Sequence, residues 1–150
     1  MMQAFGGAAT PMSFGEVYSA LQQSVIDGAE NNELALTDQK HGEVCKYYTY
    51  DMHQMVPDLL VVLKKFYDGL SADEKKVFDE AAKEAEKAEF AAWHDSVEKA
   101  KKQATEMGVE FINVDVNDFR NKVLPIHQEL LNKTPALKPL YEAAEKANQQ

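Results

Sequence analysis

The sequence predicts an α/β protein that is rich in helix and contains one unusually long helix. Apolar residues recur every three or four positions from Val77 to Ala104, the spacing of one face of a helix. Aromatic and branched residues dominate Tyr47–Tyr50 and Val109–Val114, which is typical of strands. Helix-capping signals precede several of the helical patterns. At 150 residues, the chain is long enough to bury a real core.

The first elements are predicted from turn and capping residues. Met1–Phe5 resembles the last turn of a helix that ends at Gly6-Gly7, and this opening suggests a truncated chain. Ser13 and Glu16 have the spacing of a capping box, in which each side chain accepts a hydrogen bond from the backbone of the other residue. We therefore predict a helix from about Phe14 to Ser24.

The middle of the chain predicts a short helix followed by strands. The helix lies within Asn32–Cys45, with Asn31 or Asn32 as its cap. Tyr47–Tyr50 and Leu59–Leu63 have strand character, and Pro57 marks a bulge, an edge or a break between them. Because Leu59–Leu63 is apolar at every position, we predict a central strand that is covered on both faces.

The longest helical pattern begins at a second capping box, formed by Ser71 and Glu74. No glycine or proline interrupts the pattern before Gly108. We predict one helix from about Glu74 to Met107, with Gly108 ending it in the left-handed conformation that glycine adopts readily. Its many alanines predict close packing against another element.

Two more helices are predicted after the strand at Val109–Val114. Asp115 is the expected cap of a helix that runs to about Leu131 and bends near Pro125. Thr134-Pro135 has the pattern of a cap followed by proline at the first helical position. We predict a last helix from there to about Asn148.

Charge and hydropathy exclude several classes of protein. The formal net charge is −9, so electrostatics disfavours a nucleic acid or an anionic membrane as partner. No apolar run approaches the ~20 residues that a membrane-spanning helix needs. The opening residues MMQAFGG lack the basic and apolar regions of a signal peptide. The protein is therefore either cytosolic or made as a longer chain.

No pattern predicts an enzyme, a metal site or a cofactor. The four histidines do not pair at a spacing of three or four residues, and Cys45 is the single cysteine. No phosphate-binding glycine loop and no nucleophile motif are present. We interpret Cys45 as a small buried residue, and His94 and His127 as surface or boundary residues. His53 lies between the two predicted strands and is a candidate for a cleft.

Four stretches together resemble a known family. They are TPMSFGEVYSALQQ, VIDGAENN, HGEVCKYYTYDMHQMVPDLLVV and LSADEKKVFDEAAKEA. Over essentially its whole length, the chain resembles the C-terminal half of the DctP-like extracytoplasmic solute-binding proteins of tripartite ATP-independent periplasmic (TRAP) transporters. The pattern His53-x-x-x-Pro57-Asp58 is most similar to the branch that takes uronates and related sugar acids.

The resemblance implies part of a two-lobed, periplasmic-binding-protein-like α/β fold. Residues 1–30 would form a segment of the second lobe and the crossing strand, which covers Val25–Asn31. Residues 31–150 would supply elements of both lobes, including a long helix that braces them.

The resemblance also implies a site for an organic acid. Asn31 would hydrogen-bond the ligand, and Phe14 would pack on its carbon face. Glu30 is a candidate for sugar hydroxyls, and His53 is a weaker one. The family's ligand-pairing arginines lie upstream of this sequence, and Arg120 matches neither, so we predict that Arg120 is a surface residue. Two simpler interpretations stay open: Phe14 as a core residue, and Asn31 as only a helix cap.

The function implied is the capture of a uronate, another sugar acid or a dicarboxylate in the periplasm. The ligand would then pass to the membrane permease of an ion-gradient-driven transporter. The chain alone is expected to bind poorly and to form a homodimer, because its apolar strand lacks partners. The alternative function is a helical interaction module with no ligand.

Overall fold

The computed structural model describes residues 1–148, which fall into two compact units. The first unit contains Met1–Pro11, Thr49–His53 and the chain from Asn113 onward. The second unit contains Met12–Tyr48 and Gln54–Ile112.

The elements, in chain order, are a 3₁₀ turn at Phe14–Glu16, α1 (Val17–Gln22), α2 (Leu34–Thr37), α3 (His41–Val44), β1 (Tyr47–Tyr50), α4 (Lys64–Gly69), α5 (Ala72–Glu106), β2 (Glu110–Asn113), α6 (Val116–Lys133), a 3₁₀ turn at Pro135–Leu137 and α7 (Lys138–Ala147).

The predicted helix-rich α/β class is confirmed, with β1 and β2 paired in a two-stranded sheet. Both strands lie where the aromatic and branched residues predicted them. Among residues 1–148, no helix combines the length and the apolar character that crossing a bilayer requires.

The long helix α5 has 35 residues and begins two residues before its predicted start. Its capping box is confirmed: Glu74 N donates to Ser71 Oγ at 3.3 Å, and Ser71 N donates to Glu74 Oε2 at 2.8 Å. The backbone hydrogen bond to Ser71 lowers the pKa of the Glu74 carboxyl, because it stabilises the charged form. At the other end, Gly108 has the predicted positive φ of 85°.

The core of the second unit lies where the end of α5 meets α2. Leu36, Ala104 and Val109 form its buried centre, and Tyr48 and Phe111 pack against them. The side chain of Ala104 is fully buried, which is possible because alanine allows a close approach of the neighbouring element. The predicted close packing of the alanine-rich helix is confirmed at this end and is wrong for Ala81, Ala85 and Ala88, which are exposed.

A junction of α3, β1 and α5 stabilises this core. Lys46 Nζ donates to Gly42 O at 2.8 Å and to Met107 O at 3.0 Å, which satisfies a carbonyl at the end of α5. A Cβ on Gly42 would lie 3.0 Å from the carbonyl oxygen of Leu36, so only glycine fits without a shift.

In the first unit, α6 and α7 are linked by an exposed ion pair. Arg120 Nη2 donates to both carboxylate oxygens of Glu145, at 3.0 and 2.8 Å. The predicted surface position of Arg120 is thereby confirmed. Asp115 accepts from Asn117 N at 2.9 Å, as expected of the cap of α6. His127 is half-buried and packs edge-on against Tyr141.

Two predicted caps were wrong: neither Ser13 nor Thr134 makes a side-chain capping hydrogen bond. The helix predicted from Phe14 is a 3₁₀ turn followed by α1, and the last helix is likewise a 3₁₀ turn followed by α7. The turn predicted at Met1–Phe5 is present, with Phe5 N donating to Met1 O at 3.2 Å and Gly6 at the expected positive φ of 92°.

Two predicted strands are absent from the described structure. Val25–Asn31 runs through bends and irregular backbone, and Leu59–Leu63 has no regular structure. The Leu60 side chain is 79% exposed rather than covered on two faces. A strand needs a hydrogen-bonded neighbour, and within residues 1–148 the sheet consists of β1 and β2 alone.

Candidate functional site

The polar segment after α1 borders a concavity of about 410 Å³ in the second unit. Asp27 and Asn31 line it from this segment. The opposite wall is formed by residues of α3, of β1 and of the link between them: His41, Cys45, Lys46 and Tyr48. One side of the concavity is therefore the segment around Asn31 that the sequence predicted as a ligand site. The wall opposite it was not predicted.

Asn31 is half-buried and has a defined side-chain orientation. Its Oδ1 accepts from Asn32 N at 2.9 Å. Because a backbone N–H can only donate, the amide oxygen must face Asn32, and the NH₂ group is directed away from that contact. Within residues 1–148, this NH₂ group donates to no protein acceptor. Asn31 therefore offers hydrogen-bond donors.

Neither asparagine is the cap of α2. Its N-cap is Glu33, which makes no side-chain capping hydrogen bond, so the prediction of Asn31 or Asn32 as the cap is wrong. Asn32 Oδ1 accepts from Leu34 N at 3.1 Å in the turn that precedes the helix. The interpretation of Asn31 as only a helix cap is therefore wrong as well.

Two side chains from the second unit hold the Glu30-Asn31 pair. Tyr48 Oη donates to Asn31 O at 2.8 Å, and Gln54 Nε2 donates to Glu30 Oε2 at 3.0 Å. Glu30 is exposed. Both hydrogen bonds constrain the segment from residues that follow it by 17 or more positions, so its conformation depends on tertiary structure.

Phe14 lies beside the concavity without lining it. Its ring is 51% exposed and contacts His41 edge-on, with 6.3 Å between ring centroids. Phe14 is thus not a core residue, and that simpler interpretation is wrong. The exposed ring is a packing surface next to a residue of the wall.

His53 belongs to the first unit, whereas Asn31, Glu30 and Phe14 belong to the second. Its Nδ1 lies 2.7 Å from Asp51 Oδ1. This contact orients the imidazole and supports the tautomer or the protonated form that carries a hydrogen on Nδ1.

The buried His41 in the wall was not predicted. It is only 6% exposed, and burial lowers the pKa of its imidazole because charging it there is costly. Burial likewise raises the pKa of the Cys45 thiol, although the neighbouring Lys46 partly opposes the shift. Nothing in the local sequence HGEV signals this burial. Among the described residues, no group of three or more potential ligands could hold a metal ion.

The charge of the concavity is poorly suited to an anion held by this chain alone. Lys46 is the one lysine or arginine that lines it in the described structure, and its ammonium already donates to two backbone carbonyls. Asp27 adds a carboxylate to the lining of the concavity. Arg120 is in the first unit, paired with Glu145.

The site thus has a half-buried amide at a concavity within a helix-rich α/β fold. The chain belongs to the DctP family, the bacterial extracellular solute-binding proteins of family 7, which it matches over residues 1–134.

Relatives and solved structures agree with this membership. The chain is 40% identical to the uncharacterized protein YiiZ of Salmonella typhimurium over 97% of its own length and 45% of the relative's. A TRAP periplasmic solute-binding protein from Anaerococcus prevotii with bound D-glucuronate is 50% identical, with a TM-score of 0.87, over 99% of this chain and 48% of that one. One from Sulfitobacter with bound β-D-galacturonate is 32% identical, with a TM-score of 0.84, over 92% and 46%. The chain thus spans about half the length of these relatives.

Proposed function

We propose that this chain takes part in capturing a uronate for a TRAP transporter in the periplasm. The observation that carries the proposal is that Asn31 lines the concavity and that its amide oxygen is held by Asn32 N, which leaves the NH₂ donors for another acceptor. The carboxylate and hydroxyl oxygens of a uronate are acceptors for such donors. The related proteins from Anaerococcus and Sulfitobacter hold D-glucuronate and β-D-galacturonate, which supports uronates over dicarboxylates as the ligand.

Each candidate residue has a role that suits its chemistry. Asn31 donates to a ligand oxygen, and the exposed ring of Phe14 packs on the carbon face of the sugar. Glu30 accepts from sugar hydroxyls, and His53, oriented by Asp51, hydrogen-bonds the ligand in a lesser role. No step of bond making or breaking is involved, so the protein is a binding protein and not an enzyme.

The loaded protein would deliver its ligand to the TRAP permease, which an ion gradient drives. Family membership supports this partner and a location outside the cytoplasm.

The uronate carboxylate needs a cation, and Lys46, the one that lines the concavity in the described structure, already donates to two backbone carbonyls. A carboxylate loses hydration in a pocket, and only a paired, hydrogen-bonded cation offsets that cost. Two or three neutral hydrogen bonds at about 0.5–1.5 kcal/mol each fall short of the ~8 kcal/mol of a micromolar complex. We therefore expect the chain alone to bind uronates with no measurable affinity, and the cation to come from polypeptide that the relatives contain outside the match.

A chimera tests the proposal. The part of the Anaerococcus protein that this chain does not match is fused to the chain, and D-glucuronate, D-galacturonate and a C4-dicarboxylate are titrated by calorimetry. We expect binding of a uronate by the chimera and none by the chain alone. A chimera that binds no uronate would overturn the proposal.

Two substitutions at one position separate the donor role of Asn31 from its structural role. Asn31→Asp keeps an oxygen that accepts from Asn32 N, but it replaces the NH₂ donors with a negative charge. We expect Asn31→Asp to weaken uronate binding more than Asn31→Ala does, with little change in the unfolding midpoint. Equal affinity of Asn31→Asp and the parent chimera would contradict the role of Asn31.

Self-association is a second property that the exposed apolar residues favour. Leu59, Leu60, Val61 and Leu63 are 77–80% exposed, and Trp93 on α5 is 41% exposed. Exposed apolar patches of more than a few hundred Å² commonly mark interaction surfaces. We expect a second copy of the chain to cover them in a homodimer. Sedimentation of a clean monomer at micromolar concentration would count against this expectation and against the helical interaction module.

A further inference from the structure

The segment that carries Asn31 has no regular secondary structure of its own. Residues 25–33 contain only bends, irregular backbone and the turn that precedes α2. The positional precision that ligand recognition needs, about 0.5 Å, therefore depends on contacts from outside the segment as well as within it. For the Asn31 backbone, that contact is the hydrogen bond from Tyr48 Oη to its carbonyl oxygen, at 2.8 Å.

Tyr48 is itself held by the core. Its ring packs against the cluster of Leu36, Ala104 and Val109, and it lies 5.5 Å from Phe111 between ring centroids. Its place at the second position of β1 also limits its backbone freedom. The hydroxyl therefore projects from a side chain with few alternative rotamers, and it can transmit the rigidity of the core to Asn31.

The two hydrogen bonds at Asn31 act on different parts of the residue. Tyr48 fixes the position of the main chain, and Asn32 N fixes the orientation of the side-chain amide. Together they determine where the NH₂ donors lie before any ligand arrives. Such preorganisation improves affinity because less conformational freedom is lost on binding.

We infer that Tyr48 is a positioning residue for ligand recognition, acting through the carbonyl of Asn31 without touching the ligand. This inference rests on the proposed function, since it specifies how the Asn31 donors are held. The hydroxyl of Tyr48 should therefore contribute to uronate affinity only when the Asn31 side chain is present.

A double-mutant cycle in the uronate-binding chimera tests the inference. Tyr48→Phe removes the hydroxyl and retains the ring, and we expect it to weaken D-glucuronate binding about 3- to 10-fold. In the Asn31→Ala background, Tyr48→Phe should have almost no further effect, because the side chain that it positions is gone. The matched control is Tyr67→Phe, which removes a hydroxyl that donates to Asp79 at the same 2.8 Å, and it should leave affinity unchanged.

A second measurement uses the chain alone and no ligand. In hydrogen-exchange NMR, Tyr48→Phe should speed the exchange of Asn32 N–H several-fold, while the unfolding midpoint stays close to that of the parent. A general structural role would instead lower the midpoint and speed exchange throughout the core.

The outcomes separate the two proposals. If the unsubstituted chimera binds no uronate, the proposed function fails and this inference fails with it. If the chimera binds, but the effects of Tyr48→Phe and Asn31→Ala simply add, the proposed function stands and the positioning role of Tyr48 is overturned. Unchanged exchange of Asn32 N–H in Tyr48→Phe would overturn it as well.

Discussion

Two apolar regions of the second unit differ in solvent exposure: one is buried and the other is exposed. The end of α5 contributes Ala100 and Ala104, which are small yet are 3% and 0% exposed. The segment Leu59–Leu63 carries much larger side chains, and Leu60 is 79% exposed. Side-chain hydrophobicity alone would predict the reverse order. The difference teaches that a residue is buried only where a complementary surface reaches it.

The partner surface differs because the two segments satisfy their backbones differently. A helix makes its hydrogen bonds internally, so α5 needs no neighbour for its backbone, and Ala100 and Ala104 at its end are buried near α2. A strand needs a neighbouring strand for its N–H and C=O groups. Leu59–Leu63 has no such neighbour among the described residues, and its side chains stay in solvent.

The largest expected effect compares a leucine from each environment. Leu36→Ala should lower the free energy of unfolding by about 2–5 kcal/mol, because it leaves a cavity beside Ala104 and Val109. Leu60→Ala removes the same atoms from a site that is exposed in the single chain, and for monomeric protein we expect a change within about 0.5 kcal/mol. Urea denaturation of both variants, at concentrations where sedimentation shows a monomer, measures the difference. Similar losses there would show that Leu60 is covered within the single chain.

A smaller effect distinguishes the two capping boxes that the sequence predicts. Ser71→Ala should cost about 1 kcal/mol, because the box at α5 is formed. Ser13→Ala should cost at most a few tenths of that, because Ser13 makes no capping contact. The unfolding midpoints of the two variants test this order. A larger loss at Ser13 would mean that its box forms in solution.

The smallest effect concerns pH and the buried His41. Its pKa is lowered from the ordinary 6.5, so folding favours the neutral imidazole. This contribution to stability is fully present above pH 6.5 and is lost as the pH falls below it toward the lower pKa of the folded state. In urea denaturation between pH 7.5 and 5 (a range chosen to bracket the ordinary pKa, roughly one unit or more on each side), His41→Gln should flatten the pH dependence relative to the parent.

The control for this measurement is His94→Gln, because His94 is exposed on α5. That variant should keep the pH dependence of the parent. If His94→Gln flattens the profile and His41→Gln does not, the assignment of the pH dependence to His41 is wrong.

Features encoded in short stretches were predictable. Ser71 and Glu74 lie three residues apart and cap each other, so their contact needs no distant residue. Gly108 adopts a positive φ because its lack of a Cβ makes that conformation accessible. Family membership was also readable from the four quoted stretches. The roles of Asn31, Glu30, Phe14 and His53 remain predictions that the binding experiments decide.

The sequence by itself thus determined the long helix, the positions of the two strands, the cap of α6 and the family, because each depends on local conformational preference or on quoted motifs. Only the tertiary structure decided that Leu59–Leu63 is exposed, that His41 is buried and that Tyr48 holds Asn31. Those outcomes depend on which distant residues come into contact. The physical reason is that burial and long-range hydrogen bonds each require two partners, and a single segment of sequence specifies only one of them.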